Sequence, residues 1–239
     1  LVSGTVVMAD GGQNSISGMG ITVSDAKNLV VATNSGSNII HDLGGNVSLV
    51  STQAGGSSVL AQSSGSNKIT VDSGSLNIDA YGTSVRATGG GQNTLEAAGG
   101  VTITNRTGNG MEADGGGSNS VTATGSGAVG VTGYQYGLYA SNGSNTVTAE
   151  SGAVTITGQN SSGMYATASG VNTVEGEGNI TISTGLVSGT VVMADGGQNS
   201  ISGRGIAISD AKNLVVAANS GSNVIHDLGG NVSLVSTQA

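Results

Sequence analysis

The amino-acid sequence predicts an all-β protein, a right-handed parallel β-helix of about nine coils, with three strands in each coil of roughly 26 residues. Three observations predict this fold. The composition suits short strands, a short repeat places apolar residues at every second position, and a longer repeat contains seven of the short ones.

The composition is the first observation. The 239 residues include 44 Gly and no Pro, Cys, Trp or Phe, and only 8% are charged. The apolar share of 36% comes almost entirely from Val, Ile, Leu and Ala. β-Branched residues with period two favour strands, whereas Gly, Ser and Asn favour the turns between them. The composition therefore indicates many short strands rather than disorder.

An Asn marks each short repeat, at nearly regular intervals along the chain. The nine members of this column are Asn14, Asn38, Asn67, Asn93, Asn119, Asn145, Asn172, Asn199 and Asn223. Asn tolerates the left-handed backbone of a tight corner, and its side-chain amide can bond to the same residue in the next coil. A ligand-binding role would not explain one Asn in every coil, so we interpret the column as structural.

Each short repeat contains three strand-like pieces. The first piece has two apolar residues that flank a polar one, as in Val101–Ile103. The second ends in an apolar residue, a variable residue and Ala, as in Val85–Ala87. The third piece follows the Asn. Three short strands cannot enclose a core alone, so successive units must stack and equivalent residues must form rows. Parallel strands keep these rows aligned, and the usual handedness of parallel crossovers predicts a right-handed coil.

The long repeat is visible as a second copy of the first part of the chain. Residues 1–54 return as residues 186–239 with five differences, which are Met19/Arg204, Thr22/Ala207, Val23/Ile208, Thr33/Ala218 and Ile39/Val224. We therefore expect one continuous β-helix over 1–239, with a first long repeat at 1–185 and a second copy that begins at 186–239. Both ends fall inside a repeat, so we also expect further copies in the complete protein.

Several classes of function fit the sequence poorly. The formal net charge of −8 argues against a nucleic-acid partner, and no apolar run is long enough to insert this segment into a membrane. There is no Cys, and the two His residues are copies of one position, so no metal site or cofactor is predicted. His41 and the adjacent Asp42 are interpreted as a solvated surface pair.

Carboxylates need a separate test, because some parallel β-helices cleave polysaccharides with acidic side chains on adjacent coils. Glu112 and Asp114 flank one Ala of the column, with Arg86 one coil earlier, and Glu175 and Glu177 form a second pair. No further residue is expected to converge on either pair, and long loops that would wall a cleft are missing. The sequence therefore predicts no catalytic residues and no enzyme.

A contact surface is predicted on the strand that carries the Ala column. The residue before each Ala should point outward, and these residues are Met8, Val31, Leu60, Arg86, Glu112, Tyr139, Tyr165, Met193 and Val216. Several are apolar, which indicates an exposed apolar stripe. With Tyr134 and Tyr136 in a nearby turn, Tyr139 and Tyr165 form a candidate contact surface. A Tyr ladder that only stabilises neighbouring coils explains them equally well.

The coil pattern resembles the passenger regions of bacterial autotransporter adhesins and filamentous-haemagglutinin-type exoproteins. The resemblance is carried by GLYASNGSNTVTAESGAVTIT at 137–157, GMYATASGVNTVEGEGNITIS at 163–183 and GMEADGGGSNSVTATGSG at 110–127. It implies an extracellular rod on a bacterial cell surface that acts in adhesion, aggregation or biofilm formation. The implied partners are other copies of the chain, and a cell-surface protein or glycan. The alternative is a polysaccharide-degrading β-helix enzyme or a phage-tailspike-like glycan binder.

Overall fold

The chain folds into an all-strand solenoid in which each turn of the backbone contributes three consecutive strands. The structure is a computed structural model that describes residues 4–186 and 188–236. Among the described residues there are 27 strands and no helix. The first nine strands are β1 (Thr5–Asp10), β2 (Gln13–Gly18), β3 (Ile21–Ser24), β4 (Asn28–Thr33), β5 (Ser37–Asp42), β6 (Val47–Ser51), β7 (Val59–Ala61), β8 (Ser66–Val71) and β9 (Leu76–Ala80).

The remaining strands continue the same three-strand cycle to the end of the described chain. The middle nine are β10 (Val85–Ala87), β11 (Gln92–Ala97), β12 (Val101–Asn105), β13 (Met111–Ala113), β14 (Ser118–Ala123), β15 (Val129–Gly133), β16 (Leu138–Ser141), β17 (Ser144–Ala149) and β18 (Val154–Gly158). The last nine are β19 (Met164–Thr167), β20 (Val171–Gly176), β21 (Asn179–Thr184), β22 (Thr190–Asp195), β23 (Gln198–Gly203), β24 (Gly205–Ala211), β25 (Asn213–Ala218), β26 (Ser222–Asp227) and β27 (Val232–Ser236).

The first, second and third strands of the nine coils form three separate parallel sheets. Each sheet has nine strands in coil order, so β1, β4 and β7 are neighbours in the first sheet and β2, β5 and β8 in the second. Equivalent residues pair directly, as Asn93 does with Asn119 and Val101 with Val129. The predicted fold class, a parallel β-solenoid of about nine coils with three strands each, is confirmed.

The core consists of rows of small and β-branched side chains that point into the coil. Alternate residues are buried in most of the strands that lie between two described coils, as Val101, Ile103 and Asn105 are in β12. Because the period of a strand is two, the same alternation in every coil brings equivalent apolar residues into contact along the axis. Large buried side chains such as Met111 and Leu138 lie in the same rows. The interior is therefore one continuous core rather than nine separate ones.

The Asn column forms a ladder along the second sheet. The Nδ2 of each Asn from Asn14 to Asn199 donates a hydrogen bond to the Oδ1 of the next Asn, at 2.7–2.9 Å. The same Nδ2 also donates to a backbone carbonyl in the first-sheet strand of the next coil, at 2.6–3.0 Å. Both amide protons are thus used inside the stack, which removes the cost of burying a polar group.

One part of the expectation for this column is wrong. The Asn residues lie inside strands, as Asn93 lies in β11, and do not adopt the left-handed backbone of a corner. Left-handed residues occur instead in the turns that precede the second sheet, for example at Ser63 and Ser64 with φ of 57° and 70°. The side-chain ladder alone accounts for the column, because it places a donor and an acceptor at the same height in each coil.

Candidate functional site around four tyrosines

The outward row of the first sheet is less exposed than expected. Met8 is 62% exposed, but Val31 is only 5% exposed, and the row from Leu60 to Val216 is half-buried. Parallel strands lie about 4.8 Å apart, so equivalent outward side chains of successive coils cover one another. Met8 belongs to the first described coil and lacks one of these neighbours. The contiguous exposed apolar stripe expected from the sequence is therefore not formed.

Three of the four candidate tyrosines form a ring cluster on this row. Tyr139 in β16 pairs with Tyr165 in β19, and their ring centroids are 5.8 Å apart at an interplanar angle of 62°. Tyr136, from the turn before β16, packs against both, with centroids 5.2 Å from Tyr139 and 5.4 Å from Tyr165. Tilted and edge-on contacts at these distances are favourable for aromatic rings. The three rings thus brace two neighbouring coils.

Tyr134 occupies a different place from the other three. It lies in the turn between the third and first sheets, and 42% of the residue is exposed. With Gln135, Tyr136, Asn160 and Ser161 it lines a cavity of about 360 Å³. We call this the corner cavity. Its lining combines aromatic rings, amides and a hydroxyl, and it contains no charged side chain.

The turn that carries Tyr134 and Tyr136 is held from both sides. The backbone N–H of Gln135 donates to the Gly108 carbonyl at 2.9 Å, and that of Tyr136 donates to Asn109 Oδ1 at 3.2 Å. From the following coil, the Asn160 N–H donates to the Tyr134 carbonyl at 2.8 Å. A Cβ at Gly133 would collide with the Tyr136 carbonyl oxygen, so this close approach of two backbone segments requires glycine.

Beside the ring cluster, Glu112 forms an ion pair and hydrogen bonds with several side chains. Arg86 lies 3.0 Å from Glu112 Oε1 and 3.3 Å from Asp114, while Asn109 and Thr83 donate to Glu112 Oε2 at 2.9 and 3.3 Å. The expectation that nothing converges on this carboxylate pair is therefore wrong. Burial, and then a hydrogen bond with Asp114, raise the pKa of Glu112 above its ordinary value, against the opposing charge of Arg86.

The pKa values of two phenols in the ring cluster, Tyr139 and Tyr165, are also shifted. Burial raises the pKa of Tyr139, a hydrogen bond to Ser141 opposes this, and the negative charge of Asp114 adds to the rise. Burial likewise raises the pKa of Tyr165, with further contributions from Tyr136 and Asp195. Both phenols therefore stay neutral and can donate hydrogen bonds at physiological pH.

The second carboxylate pair lies on another face. Glu175 and Glu177 lie with Glu150 around a shallow cavity of about 260 Å³ beside the second sheet. Across the described residues, no group of three His, Cys, Asp or Glu side chains is placed to hold a metal ion.

The interpretation of His41 and Asp42 as a solvated pair is corrected by the structure. Successive strand residues point to opposite faces, so His41 points outward and lies 3.0 Å from Asp72 of the next coil. Asp42 is fully buried and accepts backbone hydrogen bonds from the corner of the preceding coil and from its own turn. Burial alone would raise the pKa of Asp42, but the N–H groups of Gly44, Gly20, Gly45 and Ile21 outweigh it and lower that pKa.

Comparisons with known proteins add no identification. The chain matches no protein-family model, no curated protein and no solved structure in these comparisons. Residues 4–186 and 188–236 contain no helix that is long and apolar enough to cross a membrane. The resemblance to adhesin passenger regions therefore rests on the coil pattern alone, and what it implies stays a prediction.

Proposed function

We propose that the chain is part of an adhesive fibre on a bacterial cell surface, a rod that mediates adhesion, aggregation or the building of a biofilm matrix. One observation carries this proposal. Nine coils stack without interruption, the sequence at 1–54 recurs at 186–239, and the described strands of the two copies, β1–β6 and β22–β27, follow the same order through the three sheets. Such a structure lengthens by adding coils to a continuous core, so repetition of the sequence directly produces a longer rod.

The dimensions of the rod support an adhesive role. At about 4.8 Å per coil, nine coils extend roughly 40 Å and one long repeat rises about 34 Å. Any contact surface on the repeat, such as the four tyrosines, would recur at that spacing in a chain with several copies. Weak contacts repeated on a stiff rod gain avidity because the later contacts form intramolecularly. The partners that fit are other copies of the rod, and a protein or glycan on another cell.

Cell mixing tests this proposal. Cells that display the chain on an outer-membrane anchor carry one colour, and cells that display only the anchor carry another. Clusters of displaying cells alone would identify rod-to-rod association, whereas mixed clusters would identify a foreign receptor. If displaying and anchor-only cells remain equally dispersed, the adhesive function is wrong.

Polysaccharide cleavage is the second candidate, and one observation favours it. Glu112 is a largely buried carboxyl group with a raised pKa beside Asp114 and Arg86, and general-acid catalysis uses carboxyl groups whose pKa is raised. Against it, both oxygens of Glu112 already have protein partners. Release of reducing ends from polysaccharides by the chain, abolished in Glu112→Gln, would replace the fibre proposal with an enzymatic one.

A further inference from the structure

The corner cavity has the chemistry of a carbohydrate site. We propose that it binds a neutral sugar residue of a glycan. This inference rests on the proposed function in one respect, since it names the class of ligand that the adhesive rod would recognise.

The lining matches the two faces of a sugar ring. Tyr134 is 42% exposed, and its ring offers flat apolar surface with a polar tip, which suits the C–H face of a pyranose. Tyr136 lines the same cavity, and its ring packs against Tyr139 and Tyr165. Gln135 and Asn160 each carry an amide that can both donate and accept, and Ser161 adds a hydroxyl. Groups that both donate and accept are suited to sugar hydroxyls, which do the same.

The surrounding charge selects a neutral ligand over an anionic one. The cavity lining itself is uncharged. Near the adjoining ring cluster lie the carboxylates of Asp114 and Asp195 and the guanidinium of Arg86, and at the same corner one coil earlier Arg106 is paired with Asp79. The whole chain has a formal net charge of −8. Uronic acids and sulfated sugars would therefore meet like charge, whereas a neutral hexose would not.

The wall of the cavity is ordered before any ligand arrives. Hydrogen bonds from the preceding and following coils fix the backbone of residues 134–136. The ring of Tyr136 is braced by Tyr139 and Tyr165 at centroid distances of 5.2 and 5.4 Å. A prearranged wall loses little conformational entropy on binding, so a small ligand can be held by few contacts.

The size of the site favours a sugar over a protein partner. At about 360 Å³ the cavity is near the lower end of the roughly 300–1,000 Å³ typical of small-molecule sites. A stable protein partner would need on the order of 800 Å² of surface on this side. The adjoining outward row is half-buried and does not supply an exposed apolar face of that kind. One sugar residue, at the end or on a branch of a glycan, fits these dimensions.

Retention of the purified chain on beads tests the assignment. The beads carry dextran, mannan or galactan, each built from a neutral pyranose, with polygalacturonate as the anionic comparison and gelatin as the protein comparison. We expect retention on at least one neutral polymer that persists in high salt, since no ion pair is involved.

Two variants remove parts of the lining, and a third serves as their control. Tyr134→Ala and Gln135→Ala alter exposed side chains and should leave the melting temperature unchanged. Each should weaken retention, by about tenfold for the tyrosine because a stacking surface is lost. Tyr81→Ala makes the same change at an exposed tyrosine of the same corner two coils earlier, and it should bind normally.

The outcomes separate this inference from the fibre proposal. The inference is overturned if no neutral polymer retains the chain, if only polygalacturonate or gelatin does, or if Tyr134→Ala and Tyr81→Ala bind alike. If cells cluster in the mixing assay but the beads stay empty, the sugar site alone is wrong. If the beads retain the chain but displaying cells do not cluster, the adhesive function alone is wrong.

Discussion

Two segments with nearly the same sequence have different burial in this molecule. In the first copy of the long repeat, Val47 and Leu49 of β6 are both 0% exposed, because coils cover them on both sides. Their equivalents in the second copy, Val232 and Leu234 of β27, are 46% and 48% exposed in the last described coil. Val47 and Leu49 lie between two described coils, whereas Val232 and Leu234 have a described coil on one side only, so the neighbouring coil makes the difference in burial.

The first described coil shows the same dependence of burial on neighbouring coils. Ile16 of β2 lies in the first described coil and is half-buried, while its equivalent Ile201 in β23 is 1% exposed between two coils. A single coil thus specifies which side chains point inward, but burial is completed only by stacking. This is the behaviour of a repeat protein, in which stability resides largely in the interfaces between repeats.

The largest expected effect comes from truncating the same leucine in both copies. Leu49→Ala removes a fully buried side chain and should lower the free energy of unfolding by about 2–5 kcal/mol. Leu234→Ala removes a half-exposed one and should cost less than about 1 kcal/mol. Urea unfolding followed by circular dichroism measures both. Equal losses would contradict the conclusion that stacking, not sequence, determines burial.

The Asn ladder provides the next comparison. Asn93→Ala breaks a link to each neighbour, leaves buried partners unsatisfied and should cost about 1–3 kcal/mol. Asn223 is exposed and has a single ladder bond, from Asn199, so Asn223→Ala should cost at most about 1 kcal/mol. Thermal melts of the two variants in parallel would show the difference. A larger loss at Asn223 would mean that the ladder is not a main source of cohesion.

The buried carboxylate of Asp42 predicts that the stability of the chain depends on pH. Because the pKa of Asp42 is lowered in the folded chain, its contribution to stability is present above about pH 4 and is lost as the pH falls through the folded pKa. Asp42→Asn should therefore lower the melting temperature at pH 7, and the deficit should shrink below pH 4.

Asp227→Asn is the matched control for that change. Asp227 has the same local sequence, but it lies half-buried in the last described coil and accepts from Gly229 and Gly230 of its own turn. Its substitution should lower the melting temperature at pH 7 by less than Asp42→Asn does, because fewer buried contacts are lost. If both variants behave alike, the contacts from the preceding coil to Asp42 are not what stabilises its charge.

The smallest effect is expected at a position where the copies differ on the surface. Met19 is 75% exposed, and Arg204 is also exposed. Exchanging them, as Met19→Arg together with Arg204→Met, should change stability by less than about 0.5 kcal/mol. A calorimetric scan that shows a larger shift would reveal a contact specific to one copy.

The sequence predicted the parts of the structure that repeat. Rows such as Val85 and Ala87, and the Asn column, could be read because each coil must place the same residue type at the same height. The turns could not be read in this way, since their lengths vary and their left-handed positions change residue type, from Ser63 in one coil to Gly89 in the next. The inward position of Asp42 was missed although strand alternation beside the outward His41 implies it.

The candidate site was predictable only in part, for a related reason. The pairing of Tyr139 with Tyr165 follows from their shared place before the Ala column. The packing of Tyr136 against both depends on a turn conformation set by Asn109 and Gly133 in three dimensions. The partners of Glu112 likewise come from turns and a neighbouring coil. Outward residues and turn residues change type from coil to coil, so their contacts depend on the assembled stack.

The hydrogen bonds of the Asn ladder all run in one direction, so the two ends of the rod differ. Every amide from Asn14 to Asn199 donates toward the following coil, and each one after the first accepts from the preceding coil. A coil laid upside down on the last described coil would place one NH2 group against another, whereas a coil in the same sense would present an oxygen. The stack is therefore vectorial, and a fibre built from it has two chemically distinct ends.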